Sequence, residues 1–311
     1  MSKIVHMRLL TVLGPTASGK TRLAVALAEK MNGAIISADS RQVFRGMDIG
    51  TGKDLVEYGS IPHFLIDIKE AGEEYHVAAY REDFLQALEQ VTAIGKLPIL
   101  CGGTGLYIQA ALQGLPFAHV PVNQELRQSL ETKDKDELLA EFRKQPSEYS
   151  PLADTSTRKR LIRAIEISRY LQQNEFKAVE SPVSTQFSRD SLIIGIHLPV
   201  EVRRARITER LHQRLGAGLL KEVRDLLAGG VQPEKLIFYG LEYKFAVLHL
   251  QGELAYSEMT ERLNTAIHRF AKRQMTFFRK LEKDGLAINW IDGTLPLQQQ
   301  VEAGMAGFDC G

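Results

Sequence analysis

Residues 9–21 read Leu-Leu-Thr-Val-Leu-Gly-Pro-Thr-Ala-Ser-Gly-Lys-Thr, and this stretch decides the fold. The apolar run Leu9–Leu13 has the length and content of a buried strand, and Gly14 breaks it. Gly14, Gly19, Lys20 and Thr21 then satisfy the spacing G-x-x-x-x-G-K-[ST]. An apolar-periodic helix follows through Leu23, Val25, Ala26, Leu27 and Ala28. Strand, glycine loop and helix in that order make the pattern a phosphate loop. Its backbone N–H groups can turn inward as a nest, and the helix N-terminus adds its positive end. Lys20 supplies a point charge to phosphate oxygens, and the Thr21 hydroxyl suits Mg2+. The stretch therefore predicts capture of a di- or triphosphate.

Downstream, apolar runs and helical periods alternate. Strands are expected at 33–39, 62–67 and 97–101, with a helix over 76–94 and another opening at the Gly-Gly-Thr-Gly turn of 102–105. Such alternation predicts an α/β fold, a P-loop NTPase-like, doubly wound parallel sheet whose ligands gather at the carboxyl ends of its strands. Three polar clusters, 14–21, 39–42 and 102–105, each follow a strand and should meet in one crevice. From about 120 the strand signals stop. Short charged helices are expected at 123–131, 135–144 and 157–172, and a loose segment at 179–186. This reads as a helical insertion, 120–188, within a catalytic core formed by 1–119 and 189–311. A strand over 191–197 resumes the sheet, followed by helices at 201–215, 217–228 and 256–283. A last strand over 287–291 and a short helix with a frayed tail over 294–311 close the chain.

The bulk numbers narrow the class. The chain has 311 residues, 44% hydrophobic and 25% charged, with a net charge of +1, so no global basic field is present. Two cysteines, Cys101 and Cys310, lie far apart without a Cys/His cluster, which argues for a reducing, cytoplasmic setting. No apolar stretch reaches the roughly 18 residues of a membrane span, and no membrane association is expected.

Individual residues leave choices open. Asp39, just past a strand, can cap a turn or act as a general base. Asp67 can be a Walker-B-like carboxylate or a strand-end turn, and 48–53 is taken as a loop. Arg203, Arg206, Arg210 and Arg214 recur at three, four and four, laying guanidinium groups along one helix face. The helix at 256–283 has a second basic stripe with Phe270, Met275, Phe277 and Phe278 interleaved, more in keeping with core than with base stacking. Arg158–Arg163 forms a third basic patch. Three patches suit an extended polyanion.

Taken together, residues 14–21, Ser-Ala-Asp-Ser-Arg-Gln-Val-Phe (37–44), Gly-Met-Asp-Ile-Gly-Thr (46–51), Gly-Gly-Thr-Gly-Leu-Tyr (102–107) and Ala-Lys-Arg-Gln-Met-Thr (271–276) with Phe278-Arg279 resemble the tRNA dimethylallyltransferases. The resemblance runs in order along nearly the whole chain. It implies transfer of a dimethylallyl group from dimethylallyl diphosphate to N6 of adenine 37 in the anticodon loop of tRNAs reading codons that begin with U, by a monomer assisted by Mg2+. Carried over by motif, Asp39 would meet the adenine N6 as base and Thr104 the reacting diphosphate oxygen. Gly14, Pro15, Thr16, Ala17, Ser18, Gly19, Lys20 and Thr21 would hold the leaving diphosphate, Thr21 would also bind Mg2+, and one of Arg206 and Arg210 would reach the phosphates. Ser40, Arg41 and Gln42 would contact the tRNA, as would Arg127, Lys159, Arg160, Leu161, Ile162 and Arg163. Two stretches depart from the family pattern. Ile237–Lys244 stands where a Gly-Tyr-Lys/Arg sequence is usual, and Gly52-Lys53-Asp54 replaces the commoner Ala-Lys-Pro. No Cys/His zinc extension follows, as in the short bacterial form. A prenyltransferase acting on free adenine nucleotides would share the phosphate loop and Asp39, but would not need the basic insertion. A small-molecule kinase would leave 102–107 and 271–279 unexplained.

Overall fold

Six strands form one parallel sheet in the order β3-β2-β4-β1-β5-β6: β1 (Leu10–Leu13), β2 (Gly33–Ala38), β3 (His63–Phe64), β4 (Leu97–Gly102), β5 (Leu192–His197) and β6 (Ile288–Asp292). The computed structural model describes residues 8–115, 117–174 and 191–309. β1, β2 and β4 are covered on both faces, which is why they read as unbroken apolar runs rather than as alternating ones. Leu9, Leu13, Ile36 and Leu100 face one layer, built by α2 (Val77–Ala93), α3 (Gly105–Gln113) and the long α11 (Tyr256–Lys283). Leu10, Val12, Ile35, Ile99 and Ile194 face the other, covered by α1 (Lys20–Lys30) and α12 (Leu297–Asp309). Helices on both faces make the sheet doubly wound.

α11 carries Met259, Leu263, Ile267, Ala271, Met275, Phe278 and Leu281 as one buried stripe at helical spacing. α7 (Val200–Gly216) packs on its N-terminal half through Ile207 and Leu211. Three further helices, α8 (Leu219–Ala228), α9 (Pro233–Tyr239) and α10 (Leu241–Leu250), enclose Val43, Phe44 and Met47 in a third cluster.

One expectation is corrected and one open choice is decided. The strand over 62–67 shrinks to His63–Phe64, because Leu65 and Asp67 adopt left-handed φ values of 62° and 54° that end extended pairing. Asp67 is a turn residue, and its carboxylate is taken by the buried Lys53 ammonium, which also binds Asp48 at 2.7 Å and the Phe44 carbonyl at 2.8 Å. The segment 48–53 is a loop, as its spacing implies, and this lysine fastens it.

The chain divides after Gln113, where Gly114 turns at φ 72°. Residues from Gly114 form a separate compact unit, six residues before the expected boundary; the return to the core and the segment 179–186 lie outside the described residues. This unit holds α4 (Gln124–Leu130), α5 (Lys135–Arg143) and α6 (Arg158–Gln173). Each start is capped. Asn123 accepts the Leu126 N–H at 2.9 Å, Asp134 and Glu137 form a capping box, and Thr157 accepts from Arg160. A small core joins Leu126, Leu130, Leu138, Phe142, Leu161 and Ile165.

That core revises the basic patch. Leu161 is fully buried, so its side chain packs inward and presents nothing to a partner. Ile162 packs against the same core. Arg127 and Arg163 both pair with the buried Glu166 carboxylate, and Arg163 also donates to the Val120 carbonyl at 2.7 Å. Burial works to raise the Glu166 pKa, but these hydrogen bonds and one from the Asn123 N–H outweigh it and hold the carboxyl below its ordinary value. Arg127 and Arg163 are therefore struts of the unit. Lys159 and Arg160 remain exposed, Arg160 paired with Asp154.

Candidate functional site

Sheet register builds the site. Leu13 pairs with Gly102, and Gly102 with Ala38, so β1, β4 and β2 end at one level. The residues that follow, Gly14, Gly103 and Asp39, leave the sheet side by side. Their three loops enclose a cavity of ≈ 260 Å3, completed by α7, the start of α10 and α11. The expected crevice forms for this reason.

The phosphate loop supplies Thr16, Lys20 and Thr21 to the cavity wall. Ala17 (φ 61°) and Gly19 (φ 87°) are left-handed, and Gly19 opens α1 in a conformation that L side chains resist. Gly14, Pro15, Ala17, Ser18 and Gly19 shape the turn without lining the cavity. Burial pulls the Lys20 pKa below its ordinary value, while the Cys101 and Asp39 side chains act in the other direction. A cation poorly solvated at rest is primed for an anionic ligand.

On the opposite lip, Asp39 Oδ1 accepts the Arg41 N–H at 3.0 Å. Thr104 Oγ1 accepts the Ser40 N–H at 3.1 Å, and the Thr104 N–H donates to the Ala38 carbonyl at 3.1 Å. The Asp39 and Thr104 loops are thus one hydrogen-bonded unit. Gln42 donates to the Gly52 carbonyl at 3.2 Å and accepts from Ser37, so its amide braces the 48–53 loop while lining the cavity.

The arginine stripe splits. Arg210 lines the cavity and donates to the Thr16 hydroxyl; burial first, then the adjacent Arg214, push its pKa down to about 10, so it stays charged at neutral pH. Arg206 turns away to the Gly293 carbonyl at 3.3 Å, which removes it from the phosphate-reaching pair. Arg214, one turn beyond Arg210, takes its place in the cavity wall, donating to the Gly50 carbonyl at 3.3 Å and to Glu242 at 3.2 Å. Glu242 also faces Arg41 at 3.6 Å, and it lies in the stretch where the sequence departs from the family pattern. The departure thus places one buried carboxylate between two cavity arginines.

Sequence reading missed several wall residues. Phe270 and Phe277 line the cavity, whereas Met275 and Phe278, from the same interleaved set, are core. The Arg41 guanidinium lies 4.9 Å from the Phe270 ring centroid, and Arg273 5.8 Å from it. Gln274 accepts the Thr16 N–H at 2.9 Å and donates to the Gly103 carbonyl at 2.8 Å. A signal for it existed, since it is the only polar residue in the buried stripe of α11. Tyr58 and Cys101 form part of the wall as neutral groups, and burial pushes the Cys101 thiol up to about 12.

With fixed cations around a phosphate loop, and a carboxylate and a hydroxyl across from them, the cavity can hold a diphosphate and accept a proton from a nucleophile beside it. Comparison with known proteins points the same way. A model of the IPP transferase family matches residues 42–281, and one described as isopentenyl transferase matches 7–59. The chain is 50% identical over 304 residues to tRNA dimethylallyltransferase 1 of Parabacteroides distasonis, covering 96% of each chain. It is equally similar to tRNA dimethylallyltransferase 2 of Porphyromonas gingivalis, covering 96% of this chain and 98% of that one. The solved full-length tRNA isopentenylpyrophosphate transferase of Bacillus halodurans superposes with a TM-score of 0.71 at 29% identity, over 97% of both chains.

Proposed function

The chain belongs to the IPP transferase family, and we propose that it moves the dimethylallyl group of dimethylallyl diphosphate to N6 of adenine 37 in the anticodon loop of tRNAs reading codons that begin with U. It is an enzyme, a tRNA-modifying prenyltransferase. Transfer to free adenine nucleotides and a kinase reaction are not favoured, since the relatives that match along almost its whole length are named for tRNA. The observation that carries the reading is that three adjacent strands, β2, β4 and β1, end at one level, so that the segments following them bring Asp39, Thr104 and Lys20 into one cavity wall.

In this reading the phosphate-loop backbone, Lys20 and Arg210 hold the diphosphate and stabilise its charge as it leaves. Asp39 accepts the N6 proton as the new C–N bond forms, and Thr104 hydrogen-bonds the bridging oxygen. Adenine must leave its stack to reach the cavity, which favours a loop target. Thr21, with the diphosphate oxygens, would hold Mg2+. The described residues contain no group of three His, Cys, Asp or Glu able to cage a metal, and magnesium is commonly held by one or two protein oxygens plus phosphates. When bound, Mg2+ neutralises diphosphate charge. A cavity lined from a single chain is in keeping with action as a monomer, and a tRNA substrate with a cytoplasmic reaction. No described helix is long and apolar enough to cross a membrane.

The test is incorporation of radiolabelled dimethylallyl diphosphate, with Mg2+, into unmodified tRNA or AMP. Label mapped to adenine 37 is the expected result; label in AMP alone sinks the reading.

Contact of the insertion with tRNA is tested at its exposed cations. Lys159→Ala with Arg160→Ala is expected to weaken tRNA binding and to flatten the slope of log K against log salt by about 1–2. Arg127 and Arg163 are unsuitable for this test, because removing either uncovers the buried Glu166. An unchanged slope would mark Lys159 and Arg160 as solvated surface.

A further inference from the structure

Gln274 sits where the two anion-facing loops touch. The residue is 9% exposed, and both ends of its amide are used. Oε1 accepts the N–H of Thr16 in the phosphate loop at 2.9 Å, and Nε2 donates to the Gly103 carbonyl at 2.8 Å, just before Thr104. Beyond the ladder of β1 and β4, no backbone hydrogen bond joins these two loops among the described residues, so past the strand ends the amide is their polar fastening. Space at the junction is fully taken. A methyl group on Gly103 would lie 2.7 Å from Gln274 Nε2, 3.3 Å from the Gly14 carbonyl oxygen and 3.5 Å from Lys20 Cε. Three parts of the site therefore converge on Gly103: the amide of Gln274, the start of the phosphate loop and the Lys20 stem.

The bond to Thr16 has a second effect. That N–H belongs to the phosphate loop, yet it is spent on Gln274 rather than left for a ligand. The amide thus decides which loop donors face the cavity as well as how far the loops stand apart. A neutral amide is suited to this task, since it donates and accepts at once without adding charge beside Lys20.

We propose that Gln274 is a positioning residue for prenyl transfer: it holds the diphosphate-binding loop and the Thr104 loop in the register that lines up leaving group and acceptor. The proposal rests on the prenyltransferase reading above. Its energetic basis is orientation, where a displacement of about 1 Å between reacting groups can cost on the order of 100-fold in rate. A positioning loss falls on kcat and leaves binding nearly untouched.

The experiment uses the full chain with radiolabelled dimethylallyl diphosphate and unmodified tRNA. Gln274→Met keeps side-chain length and removes both hydrogen bonds. It is expected to lower kcat by about 30-fold, with KM for the donor and Kd for tRNA within about three-fold of wild type. Gly103→Ala, which wedges the same junction, is expected to give a similar kcat loss. The double variant should be no worse than the poorer single one, because one junction is broken either way. The proposal is overturned by a kcat of Gln274→Met within three-fold of wild type, by losses that multiply in the double variant, or by a raised donor KM at unchanged kcat. A wild-type chain that transfers no label to tRNA refutes the functional reading instead, so the two failures are separable. Melting temperatures of the variants accompany the rates; a rate loss that vanishes when corrected for folded fraction also overturns the assignment.

Discussion

Asp39→Asn is expected to slow dimethylallyl transfer by roughly two to four orders of magnitude, with tRNA affinity within about three-fold of wild type. The substitution keeps the shape of the side chain and its bond with the Arg41 N–H, in which Oδ1 is the acceptor at 3.0 Å. What it removes is a second oxygen able to take a proton from adenine N6. The exocyclic amine is a weak nucleophile, so the loss falls on the chemical step. Single-turnover rates with preformed enzyme–tRNA complex measure that step directly. A rate within ten-fold of wild type, or a loss that disappears at saturating tRNA, would remove Asp39 from the chemistry.

Lys20→Met is expected to reduce kcat/KM for dimethylallyl diphosphate by about 100- to 1,000-fold and to leave tRNA affinity unchanged. The ammonium is held in a setting where burial lowers its pKa, so part of its charge stabilisation must come from the ligand. A bound diphosphate, and still more the free diphosphate leaving group, supplies that stabilisation. Burial disfavours the charged form in the empty site; ligand binding reverses this, so donor binding takes up a proton as pH rises toward the depressed value. Calorimetry of pyrophosphate binding in buffers of different ionisation enthalpy detects that proton, and Lys20→Met should abolish the uptake. Lys20→Arg is expected to rescue poorly, because a planar guanidinium fork replaces a compact point charge on the cavity wall. Full activity in Lys20→Met would mean that the backbone nest and Arg210 suffice.

The legible parts of this fold were those in which one residue pattern answers to one environment. The runs at 9–13, 33–39, 97–101 and 191–197 read as strands because both faces are covered. The α11 stripe, at steps of three and four, read as a helix to the residue. α9 and α10 were not read, since Leu-Glu-Tyr-Lys-Phe-Ala-Val-Leu-His-Leu distributes its apolar residues around the helix rather than on one side. The short β3 was overdrawn because left-handed backbone at Leu65 and Asp67 leaves no mark in an apolar stretch. Within the site, motif spacing delivered Lys20, Thr21, Asp39 and Thr104. Spacing could not separate Arg206 from Arg210 and Arg214, because residues one turn apart share a face while the cavity covers only part of it. Basic residues in the insertion looked alike in sequence; Glu166, an unremarkable acid on the same helix, decided that Arg163 faces inward.

The placement of β1 at the centre of the sheet also orders events in time. β1 is made first, and its partner β4 follows within the first third of the chain, but β5, which covers its other edge, arrives about 180 residues later. At roughly 5–20 residues per second, the ribosome needs about ten to forty seconds to deliver it. Until then the phosphate loop hangs from a sheet with an open edge, the kind of surface that invites pairing with another chain. The wall from Ile267 to Phe277 comes later still. Translation that stalls in the insertion would therefore release a chain with every phosphate-loop residue in place, an adhesive edge, and no means of catalysis.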